Sequence, residues 1–189
     1  FEQVNMEEIL CGNGAAELFF AAVQAVCPQK ALVIAPSFSE YEEALRSVGA
    51  EAEYYYLCEE DNFQIREDYV DKLSEEIDMI FLCNPNNPTG QTIDRDMLIK
   101  ILDCCKKQNI VVILDECFLE FLDEPNRYEM SNLRGEYPNL LIIKAFTKIF
   151  SMPGLRLGYA ISSNPDILEE MSWKLQQWNV SVPAQMAGV

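Results

Sequence analysis

Histidine does not occur among the 189 residues, which removes the usual zinc ligand and the usual proton carrier near neutral pH. If the chain is an enzyme, lysine is the available proton carrier. Basic residues are scarce as well: 14 Lys and Arg against 31 Asp and Glu give a formal charge of −17. That balance disfavours a nucleic-acid backbone or an anionic membrane as a general partner. It leaves room for a local anion site, because a few basic groups and helix N-termini hold one phosphate against the global field. No membrane-length apolar stretch or secretory h-region is present. The CxxC spacing is missing too, and the seven cysteines (Cys11, Cys27, Cys58, Cys83, Cys104, Cys105 and Cys117) are odd in number. They read as reduced core or near-core residues of a cytoplasmic protein.

Hydrophobic residues make up 49% of the chain, enough for one substantial core. Short apolar runs occur at residues 8–11, 31–35, 53–57, 79–83, 110–114, 140–144 and 156–161. Most are continuously apolar rather than alternating, as in strands covered by helices on both faces. Helical patterns lie between them. In "IDRDMLIKILDCCKKQN" one face carries Met97, Leu98, Ile101, Leu102 and Cys105, with Asp94 as N-cap. Asn164 and Pro165 open another helix running toward Trp173, and 15–27, 38–48 and 67–76 supply the earlier ones. The alternation predicts a three-layer α/β fold on a mostly parallel, seven-stranded sheet. Repeats, low-complexity tracts and clear linkers are missing. The opening "FEQVNMEE", without an initiator Met, and the closing "AQMAGV" lead to the expectation that residues 1–189 are a piece of a longer polypeptide.

In such sheets ligands sit beyond the carboxyl ends of strands. The polar residues just after the apolar runs are 12–16, 36–41, 84–90, Asp115, and Thr147 with Lys148. "CGNGAAELFF" sets two glycines before a helix, whose free amides at Ala15 and Ala16 suit a phosphate; an ordinary glycine turn reads the same way. "NPNNPTG" cannot continue its strand and is either a turn or a rigid shelf presenting Asn87. Asp115 and Glu116 end a strand together; one is expected to cap a helix while the other faces the cavity, and a fold-stabilising cap is an equal reading of either. A buried Asp115 needs a cation. Lys148 follows a run expected to be buried, so its ammonium requires a counter-charge, an exit to solvent, or a depressed pKa that makes it a nucleophile.

Taken in order, "NPNNPTG", "ILDECF", "TK" and "PGLRLGY" resemble the fold-type I, pyridoxal-phosphate-dependent aminotransferase superfamily over nearly the whole chain. Within it, "APSFSEY", "LDECFLEF", "AFTKIFSMPGLRLGY" and "WNVSVPAQ" are similar to the threonine-phosphate decarboxylase branch, a relative of the histidinol-phosphate aminotransferases. Trp178 and Phe118 lean most toward that branch. The resemblance implies the large cofactor-binding domain of the aspartate aminotransferase-like fold, without the N-terminal segment and C-terminal small domain.

The roles that follow are implied by the resemblance. Lys148 bonds to pyridoxal 5′-phosphate and moves protons at the reacting carbon. Asp115 pairs with the pyridine nitrogen, Asn87 donates to the phenolic oxygen, and Phe38 stacks on the ring. Arg156, the Ala15 and Ala16 amides and Thr147 hold the phosphate. Two departures stand out: Phe118 replaces a common tyrosine, and Ala145 replaces a phosphate-binding serine, for which Lys144 compensates if it reaches the site. The implied reaction is decarboxylation of L-threonine O-3-phosphate to (R)-1-aminopropan-2-yl phosphate in cobalamin biosynthesis. A histidinol-phosphate or other amino-acid aminotransferase using 2-oxoglutarate is the alternative, and a non-catalytic protein of this fold is a third. A cytoplasmic homodimer with active sites near its interface, acting on a small amino-acid phosphate or amino acid, is also implied. Trp178 belongs to that interface, to the domain boundary or to the core.

Overall fold

A computed structural model describes residues 4–189; of the opening segment, Phe1 to Gln3 lie outside the described residues. In chain order the main elements are β1 (Ile9–Gly12), α1 (Ala15–Val26), β2 (Lys30–Ala35), α2 (Glu40–Val48), β3 (Glu51–Tyr56) and β4 (Met79–Cys83). They continue as α3 (Arg95–Gln108), β5 (Val111–Asp115), β6 (Leu140–Ala145), α4 (Phe146–Ile149), β7 (Gly158–Ile161), α5 (Pro165–Lys174) and α6 (Val182–Ala187). All seven apolar runs form strands of one sheet, ordered β1-β7-β6-β5-β4-β2-β3. β7 runs antiparallel to β1 and β6, and the pairings among β2 to β6 are parallel.

The sheet is covered on both faces, which explains why its strands are apolar without alternation. One face takes Leu32, Ile80, Val112, Leu114 and Ile142 against Leu98, Ile101, Leu102 and Cys105 of α3. The other takes Val33, Phe81, Ile113, Leu141 and Ile143 against α1, α2 and α5. The expected caps are made: Asp94 Oδ1 accepts the Asp96 N–H at 2.9 Å and Asn164 Oδ1 accepts that of Asp166 at 3.0 Å.

Four expectations are corrected. The helix expected at 67–76 is a 3-10 turn over Glu67–Lys72, because Gln108 Nε2 takes the Leu73 carbonyl at 2.8 Å and Leu73 is extended. Strand β7 starts at Gly158 rather than 156, since Arg156 is left-handed at φ 57°. Trp178 is 94% exposed, which excludes the core reading: Ile167, Leu168 and Met171 already fill the inner face of α5. Cys11, on the edge strand β1, and Cys27, the left-handed cap of α1, are exposed rather than near-core. All seven thiols are free.

Candidate active site

β2, β4, β5 and β6 end at the same edge of the sheet, and a cavity of about 150 Å³ lies beyond them. Ala15, Ala16, Phe38, Asn87, Asp115, Thr147, Lys148 and Arg156 all line it, joined by Phe19, Cys117, Phe118 and Ala145. Every side chain and amide expected at the site from sequence is therefore brought to one place.

The turn into α1 forms one wall. Gly14 is the N-cap at φ 82°, and a Cβ there would meet Arg156 Nη2 at 2.7 Å. At Gly158 a Cβ would meet the Ala15 nitrogen at 2.7 Å. Both glycines keep open the close approach of Arg156 and β7 to the start of α1, where first-turn amides lack acceptors within the helix. Glu17, which sequence reasoning missed, secures this turn: it accepts the Asn13 N–H at 2.7 Å and the Asn179 side-chain amide at 2.9 Å. Asn179 belongs to the "WNVSVPAQ" stretch, so that motif closes onto the glycine turn.

The "NPNNPTG" loop is a locked shelf. Asn84 Oδ1 accepts the Ile93 N–H at 2.8 Å, while Asn86 Nδ2 donates to the Pro36 carbonyl at 3.0 Å and to Thr89 Oγ1 at 2.9 Å. Asn87, held by its own N–H on Cys83 Sγ at 3.4 Å, keeps its side chain for the cavity.

Asp115 is buried at the end of β5. Tyr41 Oη donates to its Oδ2 at 2.5 Å and the Cys117 N–H donates to Oδ1 at 2.9 Å. Burial pushes its carboxyl above the ordinary range; the two hydrogen bonds and the Lys148 charge oppose that push. Lys148, on the short helix α4, is exposed rather than buried, with Nζ 5.3 Å from the centre of the Phe118 ring. Of the three possibilities open for its ammonium, it has an exit to solvent and, in Asp115, a counter-charge.

The buried lysine of this stretch is Lys144. Side chains alternate across a strand, so Ala145 faces the cavity and Lys144 faces the α3 side. There its Nζ lies 3.3 to 3.6 Å from Glu120, Glu129 and Glu116. Lys144 therefore does not replace the missing serine at the site. Glu116, the second acid of the pair, shares that opposite face and accepts the Met130 N–H at 3.2 Å; neither acid caps a helix.

The donor set fits the cofactor that the resemblance implies. Arg156, Thr147 and the α1 amides suit a phosphate, Phe38 and Phe118 suit a ring, Asp115 suits a basic ring nitrogen, and Lys148 supplies an amine. A buried acid at the floor of the cavity, with glycines that keep an anion cradle open at its wall, is the structural feature that such a molecule would complete.

Comparison with known proteins agrees. The chain is 36% identical over 186 residues to the threonine-phosphate decarboxylase of Salmonella typhimurium, covering 98% of this chain and 50% of that protein. It is 40% identical over 182 residues to a putative threonine-phosphate decarboxylase of Caldanaerobacter subterraneus, covering 96% and 49%. The solved structure of the histidinol-phosphate aminotransferase from Clostridium acetobutylicum superposes with a TM-score of 0.87 at 33% identity, over 95% of this chain and 52% of that one. The chain thus spans about half the length of the relatives it matches. Its sheet is that of the aspartate aminotransferase-like fold. With the profile "Aminotransferase class I and II" matching residues 2–189, the chain belongs to that family of pyridoxal 5′-phosphate-dependent aminotransferases and decarboxylases.

Proposed function

We propose that the chain is the cofactor-binding domain of a decarboxylase acting on L-threonine O-3-phosphate. The observation that carries the cofactor part is the gathering of an amine, a buried acid, aromatic faces and an anion cradle around one cavity. The choice of decarboxylase is supported by the relatives of that name at 36% and 40% identity and by Phe118, which offers the cavity no hydroxyl.

Bound there, pyridoxal phosphate supplies an electron sink for a bond broken at the substrate's Cα. Asp115 would hold the ring nitrogen and favour its protonated form. Lys148 would hold the group through its amine and is the cavity's candidate for carrying a proton at the substrate's Cα. Phe118 packs beside Lys148 and walls one side of the cavity. Arg156, Thr147 and the amides of Ala15 and Ala16 anchor the phosphate and so fix the ring's orientation. Whether the carboxylate or the Cα proton is lost would depend on groups that grip the substrate's carboxylate and phosphate, which on this reading further residues and a second subunit would supply. An open apolar groove of about 790 Å³ along β1, β7 and the α6 end, walled by Ile9, Phe146, Leu157 and Val189, supports that larger assembly.

The test is product analysis on a longer polypeptide containing this chain, supplied with pyridoxal phosphate and L-threonine O-3-phosphate. Stoichiometric carbon dioxide with an amino alcohol phosphate is the expected result. Amino transfer to 2-oxoglutarate without carbon dioxide assigns the aminotransferase reaction instead.

A further inference from the structure

We propose that Tyr41 is a positioning residue for this site: its hydroxyl, donating to Asp115 Oδ2 at 2.5 Å, keeps that carboxylate ionised and aimed into the cavity. The inference rests on the cofactor reading above. Tyr41 lies in the first turn of α2 and is fully buried. A phenol in so apolar a place requires a partner for its hydroxyl, and Asp115 is that partner. The ring itself is clamped, stacked on Phe81 at 4.8 Å and edge-on to Phe19 at 5.0 Å and Phe38 at 5.7 Å. Neighbouring rings thus fix one hydroxyl against one carboxylate oxygen, while the Cys117 N–H fixes the other.

The titratable groups facing Asp115 are Tyr41 from α2, Cys83 beside it on β4, Cys117 from the turn after β5, and Lys148 from α4. Burial, with the Asp115 charge, pushes the Tyr41 phenol well above its ordinary range, so it remains a donor. Burial raises the Cys83 and Cys117 thiols likewise, and they stay neutral. Two hydrogen bonds and the Lys148 charge therefore favour the ionised form of Asp115 against the push of its burial. A hydrogen bond to the charged form favours that form. Deleting the Tyr41 hydroxyl shifts Asp115 toward the neutral acid, which no longer stabilises a protonated ring nitrogen.

Tyr41→Phe keeps the packed ring and removes only the oxygen. In the cofactor-free chain the Asp115 carboxyl is titrated by infrared difference spectroscopy, its band assigned with Asp115→Asn. Its midpoint is expected to rise by about one pH unit, a roughly tenfold fall in acid dissociation constant; an unchanged midpoint overturns the proposal. With pyridoxal phosphate added, the pH midpoint of the bound cofactor's absorption change is expected to move upward in Tyr41→Phe. In an Asp115→Asn background the same substitution is expected to move it little, and an equal shift in both backgrounds contradicts action through Asp115. Failure of both the unmutated chain and a longer polypeptide containing it to gain an adduct at Lys148 refutes the cofactor reading, while the Asp115 titration still decides the role of Tyr41.

Discussion

Asp115 and Glu116 are consecutive residues that strand alternation sends to opposite faces of the sheet, where they meet different chemistry. Asp115 receives two hydrogen bonds and the field of Lys148. Glu116 is buried among Lys144, Glu120 and Glu129, and burial pushes its carboxyl up to about 8. Burial outweighs the attraction of Lys144, so Glu116 keeps its proton in the folded chain below about pH 8. An unfolded glutamate ionises near 4.5, so between that pH and about 8 the folded state holds a proton that the unfolded state has lost. This contribution is complete below about pH 4.5 and fades as pH rises through 8. Guanidinium unfolding at pH 5.5 and 8.5 is expected to show a loss on the order of 3 kcal/mol, which Glu116→Gln abolishes. Equal losses in both proteins contradict this assignment. The sequence made the cavity-facing residues legible because each ends an apolar run. It concealed Tyr41, whose role depends on a contact 74 positions away, and Lys144, whose run is apolar on both faces and hides its alternation.

At the scale of elements, the contact between β7 and the start of α1 decides whether the anion cradle forms. Gly158 sits where a Cβ would meet backbone on both sides, at 2.7 Å from the Ala15 nitrogen and 3.0 Å from the Lys144 carbonyl oxygen. Neither neighbour yields without moving a strand or a helix. Gly158→Ala is expected to destabilise the fold by roughly 1–3 kcal/mol and to weaken pyridoxal phosphate binding. Gly154→Ala, with open space around it, is expected to stay within about 0.5 kcal/mol. Thermal melts and fluorescence titration of the cofactor check both; equal behaviour of the two variants removes Gly158 from the cradle. The central strands β4, β5 and β6 were readable because they bury nearly every residue on both faces. The edge strands β1 and β3, though only partly buried, were readable because their runs are still apolar. The failure at 67–76 has a local cause, since Tyr69 is the one buried residue of the Glu67–Lys72 turn and packs edge-on to Tyr55, leaving no apolar stripe to support an α-helix.

At the scale of the whole molecule, a chain of formal charge −17 concentrates Lys148, Arg156 and the α1 N-terminus at a single edge of its sheet. That local reversal is what an anionic cofactor requires of so acidic a protein. No helix among the described residues is long and apolar enough to cross a membrane. Trp173 and Trp178 are exposed, and an apolar groove runs beside β1, features that composition alone did not reveal. The most direct measurement adds pyridoxal phosphate to the chain and to Lys148→Ala, followed by borohydride reduction and peptide mass analysis. A reducible adduct confined to Lys148 and missing from the variant is the expected result. If the variant retains an equal adduct, or neither this chain nor a longer polypeptide containing it forms one at Lys148, the site is not the cofactor site described here.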